Sequence, residues 1–455
     1  TAHYQQLHAV VRPPLLALTK EMISWDSAGA DGLCLALLRQ IYIGDLSEAN
    51  VWLACTLLHA LRGAYRWLCA SPAALQQAVL YKYLRLLPDA ARGTKNTEQV
   101  LAQSGTSLCI SLLTEQWDLC CVGMGRDLAR ALQSVCGLAE FRALWSDLIA
   151  GRPPGSGGGG TEVGTPGDVL SLLLATRTPQ PLLASALSPD MEKELFFILT
   201  QVRMGNQRRY QQWFHARFLS SPEFESLLPD LVRYICGVYH PSNQIIASDI
   251  IPRWAVVGWL LQCARSQPSL ANTKLALMYD LLLFQPQVDS IMNIEPAMLL
   301  MVHSIPKYPS ITNTLLEFLI LAKDHYEPAR RHLTNRGFVK GMTALVQRGV
   351  VRSLDVLVRA EELAMELRTY IHSTFKQFCS GPPEPGPTAA ADSNNNNNKR
   401  PVPGDAAAPP SAKRAMTAPN NHPLQDLPRP SLHTIPVAAS PASDAGPRAP
   451  QSPSA

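Results

Sequence analysis

The sequence lacks the cysteine spacing that holds zinc in small knuckles, because its ten cysteines include no CxxC pair. Most of them lie in apolar helical sequence. Cys34 in GLCLALL is an example, and a free thiol in such a setting behaves as a small buried hydrophobe. Unpaired, buried thiols are typical of a reducing compartment, so the sequence favours the cytosol or the nucleus.

Long apolar runs and a strong charge bias are also missing. The run from Trp254 to Leu261 ends at Gln262, well short of the roughly eighteen apolar residues that a membrane helix needs. A net charge of +4, from 40 basic and 36 acidic residues, is too small to mark the whole surface as a nucleic-acid footprint. The opening residues TAHYQQLHAV show no signal-peptide pattern and no initiator Met, which favours a fragment.

Catalytic and cofactor-binding motifs are absent as well. The sequence contains no GxxxxGK[ST] motif, no GxGxxG motif after a strand and no GxSxG elbow. His325 and His332 could share a helix face, but without further ligands a surface pair is expected rather than a metal site. Asp249, Asp280 and Asp289 are expected in capping or solvated roles. We therefore predict no catalytic residue, metal or cofactor, and a protein that is not an enzyme.

What the sequence does contain is helical periodicity. Leu75, Val79, Tyr83 and Leu87 recur every four residues, which lines one face of a helix. Ser71-Pro72 and Ser188-Pro189 each place a capping hydroxyl before a proline suited to the first helical turn. Alternation of apolar and polar residues, the strand pattern, is nearly absent. The predicted class is all-α, with irregular stacked helical hairpins in a HEAT- or armadillo-like solenoid.

Composition divides the chain into four parts. We predict an N-terminal helical lobe at 1–150, a flexible Gly/Pro-rich insert at 151–168 and a second helical lobe at 169–379. Residues 380–455 hold 17 of the 37 prolines and no Phe, Trp or Tyr, so this tail is expected to be disordered.

The segment from Arg203 to Phe218 mixes arginines with aromatic residues, as single-strand binding proteins do. Tyr210, Phe214 and Phe218 are spaced by four, however, which favours an apolar stripe packed inward with the arginines in solvent. Core packing is the preferred interpretation, and a protein-binding edge or direct nucleic-acid contact stays open. The candidate partner or nucleic-acid surface consists of Arg203, Arg208, Arg209, Trp213 and Arg217.

Longer stretches resemble one known family. They are LVRYICGVYHPSNQIIASDIIPRWAVVGWLL at 231–261 and DSIMNIEPAMLLM at 289–301, supported by stretches at 29–41, 80–87 and 203–222. These stretches resemble the Integrator complex subunit 3 family, whose members are also described as components of the sensor of single-stranded DNA complex. The resemblance runs over about residues 25–379 and departs at the insert and in the tail.

The resemblance implies a nuclear scaffold without an active site, with a cytoplasmic location also open. In the family, this helical region holds an OB-fold single-stranded DNA-binding protein and a small third subunit in double-strand break signalling. The family also belongs to the Integrator assembly, which processes small nuclear RNA 3′ ends. The implied partners are therefore these two proteins and other Integrator subunits, with DNA contacted only indirectly and no membrane. The alternative is a helical protein that binds single-stranded nucleic acid directly.

Two basic doublets in the tail generate a testable prediction. Lys399 and Arg400 are separated by twelve intervening residues from Lys413 and Arg414, and this spacing resembles a bipartite nuclear import signal. Changing all four residues to Ala should reduce nuclear accumulation of a tagged chain while its expression stays level, because two basic anchors on the carrier are lost. Quantitative imaging would measure this. Unchanged localisation would show that import depends on another region or a partner.

Overall fold

The computed structural model is built from α-helices joined by short turns and describes Tyr4 and residues 7–154, 168–221 and 223–382. These residues form 22 α-helices and no strand, so the predicted all-α class is confirmed. A single isolated bridge joins Arg203 to Ile250 within the described part of the chain. Most of the Gly/Pro-rich insert and of the predicted tail lies outside the described residues.

The helices before the insert are numbered in chain order. They are α1 (Arg12–Ser24), α2 (Ala30–Leu38), α3 (Glu48–Gly63), α4 (Tyr65–Ala70), α5 (Ala73–Arg92), α6 (Asn96–Glu115), α7 (Trp117–Met124), α8 (Arg126–Val135) and α9 (Ala139–Ile149). Helix α5 is the centre of this part, since it packs against α2, α6, α7 and α8.

The helices after the insert continue the numbering. They are α10 (Val169–Ala175), α11 (Gln180–Ser185), α12 (Pro189–Gln201), α13 (Gln207–Phe218), α14 (Leu228–Gly237), α15 (Asn243–Ile246), α16 (Arg253–Cys263), α17 (Gln267–Leu282), α18 (Ile291–Ser304), α19 (Pro309–His325), α20 (Arg331–Gln347), α21 (Asp355–Val358) and α22 (Met365–Thr374). Three short 3₁₀ helices lie at Phe224–Leu227, Pro328–Arg330 and Lys376–Phe378. Helix α17 is central here and packs against α14, α18, α19 and α20.

Serine hydroxyls start several of these helices, as the sequence predicts. Ser188 accepts a hydrogen bond from the Met191 amide at 3.2 Å and so caps α12. Ser71 behaves differently, because its hydroxyl donates to the Trp67 carbonyl at 2.8 Å and α5 begins only at Ala73. The end of α4 therefore takes the hydroxyl that was expected to cap α5.

Helical faces pack closely at the centre of each part. The four residues of the predicted α5 stripe are fully buried, which confirms the periodicity. Helix α20 crosses α17 at Gly337, where a Cβ atom would lie 2.1 Å from the Leu282 carbonyl oxygen. Only a glycine permits this separation between the two backbones.

Charged side chains are buried where the two parts meet. Asp230 of α14 accepts hydrogen bonds from Arg85 of α5 at 2.9 Å and from Arg130 of α8 at 2.8 Å. The Tyr81 hydroxyl donates to the same carboxylate at 2.7 Å. One carboxylate therefore ties α14 to two helices that precede the insert.

A second set of pairs is linked to this carboxylate through Arg130, which also donates to Asp127 at 2.8 Å. Arg233 of α14 donates to Asp127 of α8 at 2.6 Å and to Asp280 of α17 at 2.8 Å. Arg126 of α8 contacts Asp280 and Asp289, each at 3.2 Å. We call the whole set the ionic core: Arg85, Arg126, Arg130, Arg233, Asp127, Asp230, Asp280 and Asp289.

Pairing sets the protonation of the ionic core. Burial by itself would raise the pKa of Asp127, but Arg233 and Arg130 outweigh burial and hold that pKa well below its usual range. The same balance lowers the pKa of Asp230 and Asp280, whereas burial prevails at Asp289 and raises its pKa. The expectation of capping or solvated roles was therefore wrong for Asp280 and Asp289, since helical spacing does not show which distant arginine meets a carboxylate.

All described residues belong to one compact unit. The division into lobes at 1–150 and 169–379 stays a prediction. Across that boundary the structure places the ionic core and also a contact between α8 and α10.

Lys82 of α5 is a further buried charge, and no carboxylate of the described residues forms an ion pair with it. Its ammonium donates to the carbonyls of Ile41 at 3.1 Å and Ala186 at 3.0 Å. Burial lowers the pKa of Lys82 to about 7. Lys82 therefore joins the turn after α2 to the end of α11, although burying its ammonium group costs desolvation free energy.

The ionic core predicts a large effect of removing one charge. Asp230→Asn should lower the free energy of unfolding by about 3–5 kcal/mol, because Arg85 and Arg130 lose the carboxylate that neutralises them. The matched control is Asp249→Asn, which breaks the exposed pair with Arg203 at 3.4 Å and should cost less than about 1 kcal/mol. Urea denaturation followed by circular dichroism measures both. Equal losses in the two variants would contradict this account.

Lys82 predicts a pH-dependent stability. Its folded pKa of about 7 lies below the unfolded value near 10.4, so between these values the unfolded chain binds more protons and stability rises with pH. Relative to Lys82→Met, the wild-type free energy of unfolding should gain about 2 kcal/mol from about pH 7 to pH 8.5. Taking the difference between the two proteins cancels the pH dependence that comes from the titratable groups they share. A difference independent of pH would exclude a depressed pKa.

Candidate functional site

Helices α12 and α13 pack against each other and present one continuous surface. The inward face of α12 is the predicted stripe, since Met191, Leu195, Ile198 and Val202 are all buried. Phe196 and Phe197 fall outside that stripe and are 51% and 40% exposed. Sequence reasoning missed these two residues, although their position off the stripe was the signal that could have found them.

Helix α13 turns part of its aromatic cluster inward. Phe214 and Phe218 are buried, but Tyr210 is only half-buried, so the predicted stripe is confirmed for two of its three residues. Tyr210 and Phe218 are eight residues apart, and at about 100° per residue their side chains point roughly 80° apart around the helix axis. Tyr210 therefore lies on the edge of the face centred on Phe214. There its ring packs against Phe197 with the centroids 5.7 Å apart.

Trp213 is the exposed aromatic residue of α13. It is 43% exposed and meets the ring of Phe218 edge-on at 6.2 Å. Arg217 lies over the Trp213 ring at 5.5 Å and contacts Asp190 at 3.3 Å. The indole thus contacts both a buried phenyl ring and a guanidinium and is still partly exposed to solvent.

The other candidate arginines differ in their partners. Arg209 lies over the Tyr210 ring at 4.6 Å, whereas Arg203 precedes the helix and pairs with Asp249. Arg208 is exposed and makes no ion pair within the described residues. The structure therefore brings Arg209, Trp213 and Arg217 to one surface and leaves Arg203 at its margin.

A cleft of about 380 Å³ lies between the two helices. Its lining consists of Glu194, Phe197, Ile198, Arg209, Tyr210 and Trp213. We call this cleft and its margin the α12–α13 surface. Chemically it offers an apolar floor that can accept a side chain, with opposite charges at its edge.

Other predicted sites are less informative. Lys399, Arg400, Lys413 and Arg414 lie outside the described residues, so the import signal stays a prediction. His325 and His332 are both exposed.

Within the described ranges, no group of three His, Cys, Asp or Glu side chains could hold a metal ion. No helix in this part of the chain is both long enough and apolar enough to cross a bilayer.

Several cysteine thiols are buried and have raised pKa values. All ten cysteines are free, and Cys34, Cys109, Cys120 and Cys236 are buried as expected. Burial raises the pKa of Cys34 and Cys236 to about 12, which keeps these thiols protonated and poorly nucleophilic.

Comparison with known proteins identifies related chains. A family model described as Integrator complex subunit 3 N-terminal matches residues 1–373. Integrator complex subunit 3 of Mus musculus is 41% identical over 387 residues, which are 84% of this chain and 36% of that protein. The Homo sapiens protein is 41% identical over 388 residues, with the same coverage. The Dictyostelium discoideum homologue is 36% identical over 387 residues, 84% of this chain and 24% of its own length. The chain thus spans about a third of the mouse and human proteins.

Proposed function

The chain belongs to the Integrator complex subunit 3 family, and from that premise we propose that it is a non-catalytic helical scaffold of the nuclear Integrator complex. Its surfaces bind other Integrator subunits. They also assemble an OB-fold single-stranded DNA-binding protein and a small third subunit for the response to double-strand breaks. DNA is reached through the OB-fold protein.

The observation that carries the proposal is an exposed apolar surface on a rigidly joined body. A scaffold needs surfaces at fixed separations, and the ionic core fixes α5, α8, α14 and α17 relative to one another. The α12–α13 surface leaves Phe197 and Trp213 40% and 43% exposed. Aromatic side chains beside arginines are enriched at the centres of protein interfaces.

The state of the titratable groups supports a role without catalysis. Asp127, Asp230 and Asp280 have lowered pKa values because arginines neutralise them, and arginine does not exchange protons in the physiological range. General acid–base catalysis needs a group that is reachable and titrates near neutral pH. Lys82, whose pKa is about 7, is buried against two carbonyls.

Direct binding of single-stranded nucleic acid is the second candidate, and the exposure of Trp213 is the observation that favours it. A solvent-facing indole with Arg209 and Arg217 nearby could stack one base and contact phosphates. Single-strand binders stack successive bases on successive rings, however, and the neighbouring Tyr210 ring is covered by Arg209 and Phe197. A single indole that is 43% exposed favours protein contact over a strand.

Oligonucleotide binding separates the two candidates. The chain alone should bind a labelled single strand weakly, and this binding should collapse as salt approaches about 0.15 M, because it arises from counterion release at scattered basic residues. The same chain purified with its OB-fold partner should bind clearly. Fluorescence anisotropy at several salt concentrations measures both.

Two tryptophan variants complete this test. Trp213→Ala should leave the weak binding of the isolated chain unchanged, as should Trp52→Ala, a matched control that is 40% exposed on α3. The opposite outcome is tight, salt-resistant binding by the chain alone that is lost in the Trp213 variant and kept in the control. That outcome would contradict the scaffold proposal and support direct binding of single-stranded nucleic acid. Circular dichroism confirms that both variants are folded.

A further inference from the structure

A pocket of about 590 Å³ opens beside the ionic core, bounded by α5, α8, α9 and the start of α17. Arg85 and Arg130 of the ionic core line it. It is separate from the α12–α13 surface, with which it shares no lining residue. Nothing in the proposed function uses it.

Each of these two arginines has an unused pair of donors. Arg85 donates from Nε to Asp230 and from Nη2 to the Ser226 carbonyl, and Arg130 donates from Nε to Asp127 and from Nη2 to Tyr81 and Asp230. The Nη1 atom of each donates to no group in the described part of the chain. The side chains are only 7% exposed, yet neither Nη1 atom is sealed from solvent. The unused donors therefore face the pocket.

Asp230 fixes the spacing of the two guanidinium groups. Its Oδ2 atom accepts from Arg85 at 2.9 Å, and its Oδ1 atom accepts from Arg130 at 2.8 Å. Because both cations are held on the two oxygens of one buried carboxylate, they lie side by side before any ligand arrives. A preorganised pair binds with a smaller loss of side-chain entropy than two exposed arginines would.

The rest of the lining is rich in donors. Gln133 of α8, Trp145 of α9 and Asn272 of α17 have side-chain N–H groups without a hydrogen bond among the described residues. Glu225 is the only carboxylate in the described lining, and it is already engaged by the Arg265 amide at 2.7 Å and the Ser266 amide at 3.2 Å. The pocket therefore offers N–H donors from several side chains, and the one carboxylate in its described lining is already hydrogen-bonded.

We propose that this pocket binds a small phosphate-class oxyanion, such as an inorganic or small organic phosphate. Paired guanidinium groups match the geometry of phosphate oxygens, and neutral amide and indole donors can fill the remaining lone pairs. The pocket volume of about 590 Å³ suits a small ligand. The bound anion would contact α5, α8, α9 and α17 together. The site does not rest on the proposed function.

Calorimetric titration of the full chain with pyrophosphate tests the site. One pyrophosphate should bind per chain and raise the melting temperature. The double variant Gln133→Leu and Asn272→Leu removes two donors but leaves the ionic core intact, and it should weaken binding about tenfold. The matched control, Gln99→Leu and Asn243→Leu, changes exposed residues outside the pocket and should bind as the wild type does.

A third variant and two competing anions test the same pocket. Trp145→Phe removes the indole N–H while keeping an aromatic ring, and it should weaken binding even if the double variant proves unstable. Acetate should fail to compete with pyrophosphate, and a single-stranded oligonucleotide should fail to displace it from the pocket. Absence of pyrophosphate binding to the wild type at millimolar concentration would overturn the site. Equal loss in the pocket and control variants would do so too, and displacement by the oligonucleotide would assign the pocket to nucleic acid instead.

Discussion

Eight buried charged side chains have to meet their partners together for this chain to fold. Four arginines and four aspartates from α5, α8, α14, α17 and the loop after α17 form the ionic core. A buried charge that loses its partner costs several kcal/mol, so partial assembly of this set is strongly disfavoured. The ionic core therefore constrains the relative positions of the helices that contribute to it, because each charge is paired only in this arrangement.

The exposed surfaces depend on that arrangement. Lys82 of α5 bonds the carbonyl of Ala186, two residues before Ser188 caps the helix that carries Phe196 and Phe197. Arg39 of the turn after α2 pairs with Glu192 on the same helix. The α12–α13 surface is thus attached to the N-terminal helices by polar contacts as well as by packing. A partner that binds there would engage a surface whose position is already determined.

The two cavities beside these elements differ in chemistry. Between α12 and α13 the floor is aromatic and the charges stay at the edge, which suits an apolar side chain of a partner protein. Beside the ionic core the lining includes guanidinium, amide and indole N–H donors. The difference follows from what lies beneath each cavity, a buried phenylalanine stripe in one and a buried carboxylate in the other.

The sequence by itself determined the helical class, the α5 stripe, the Ser188 cap and the family, because each of these depends on residues close together in the chain or on extended similarity. Phe214 and Phe218 were correctly placed inward for the same reason. Only the tertiary structure decided that Trp213 is exposed, that Asp280 and Asp289 are buried, and that Arg85 and Arg130 share one aspartate. Arg126 and Asp280 are 154 positions apart. Helical periodicity tells which residues share a face, but the element that covers the face, and the charges it brings, are set by contacts that local sequence does not encode.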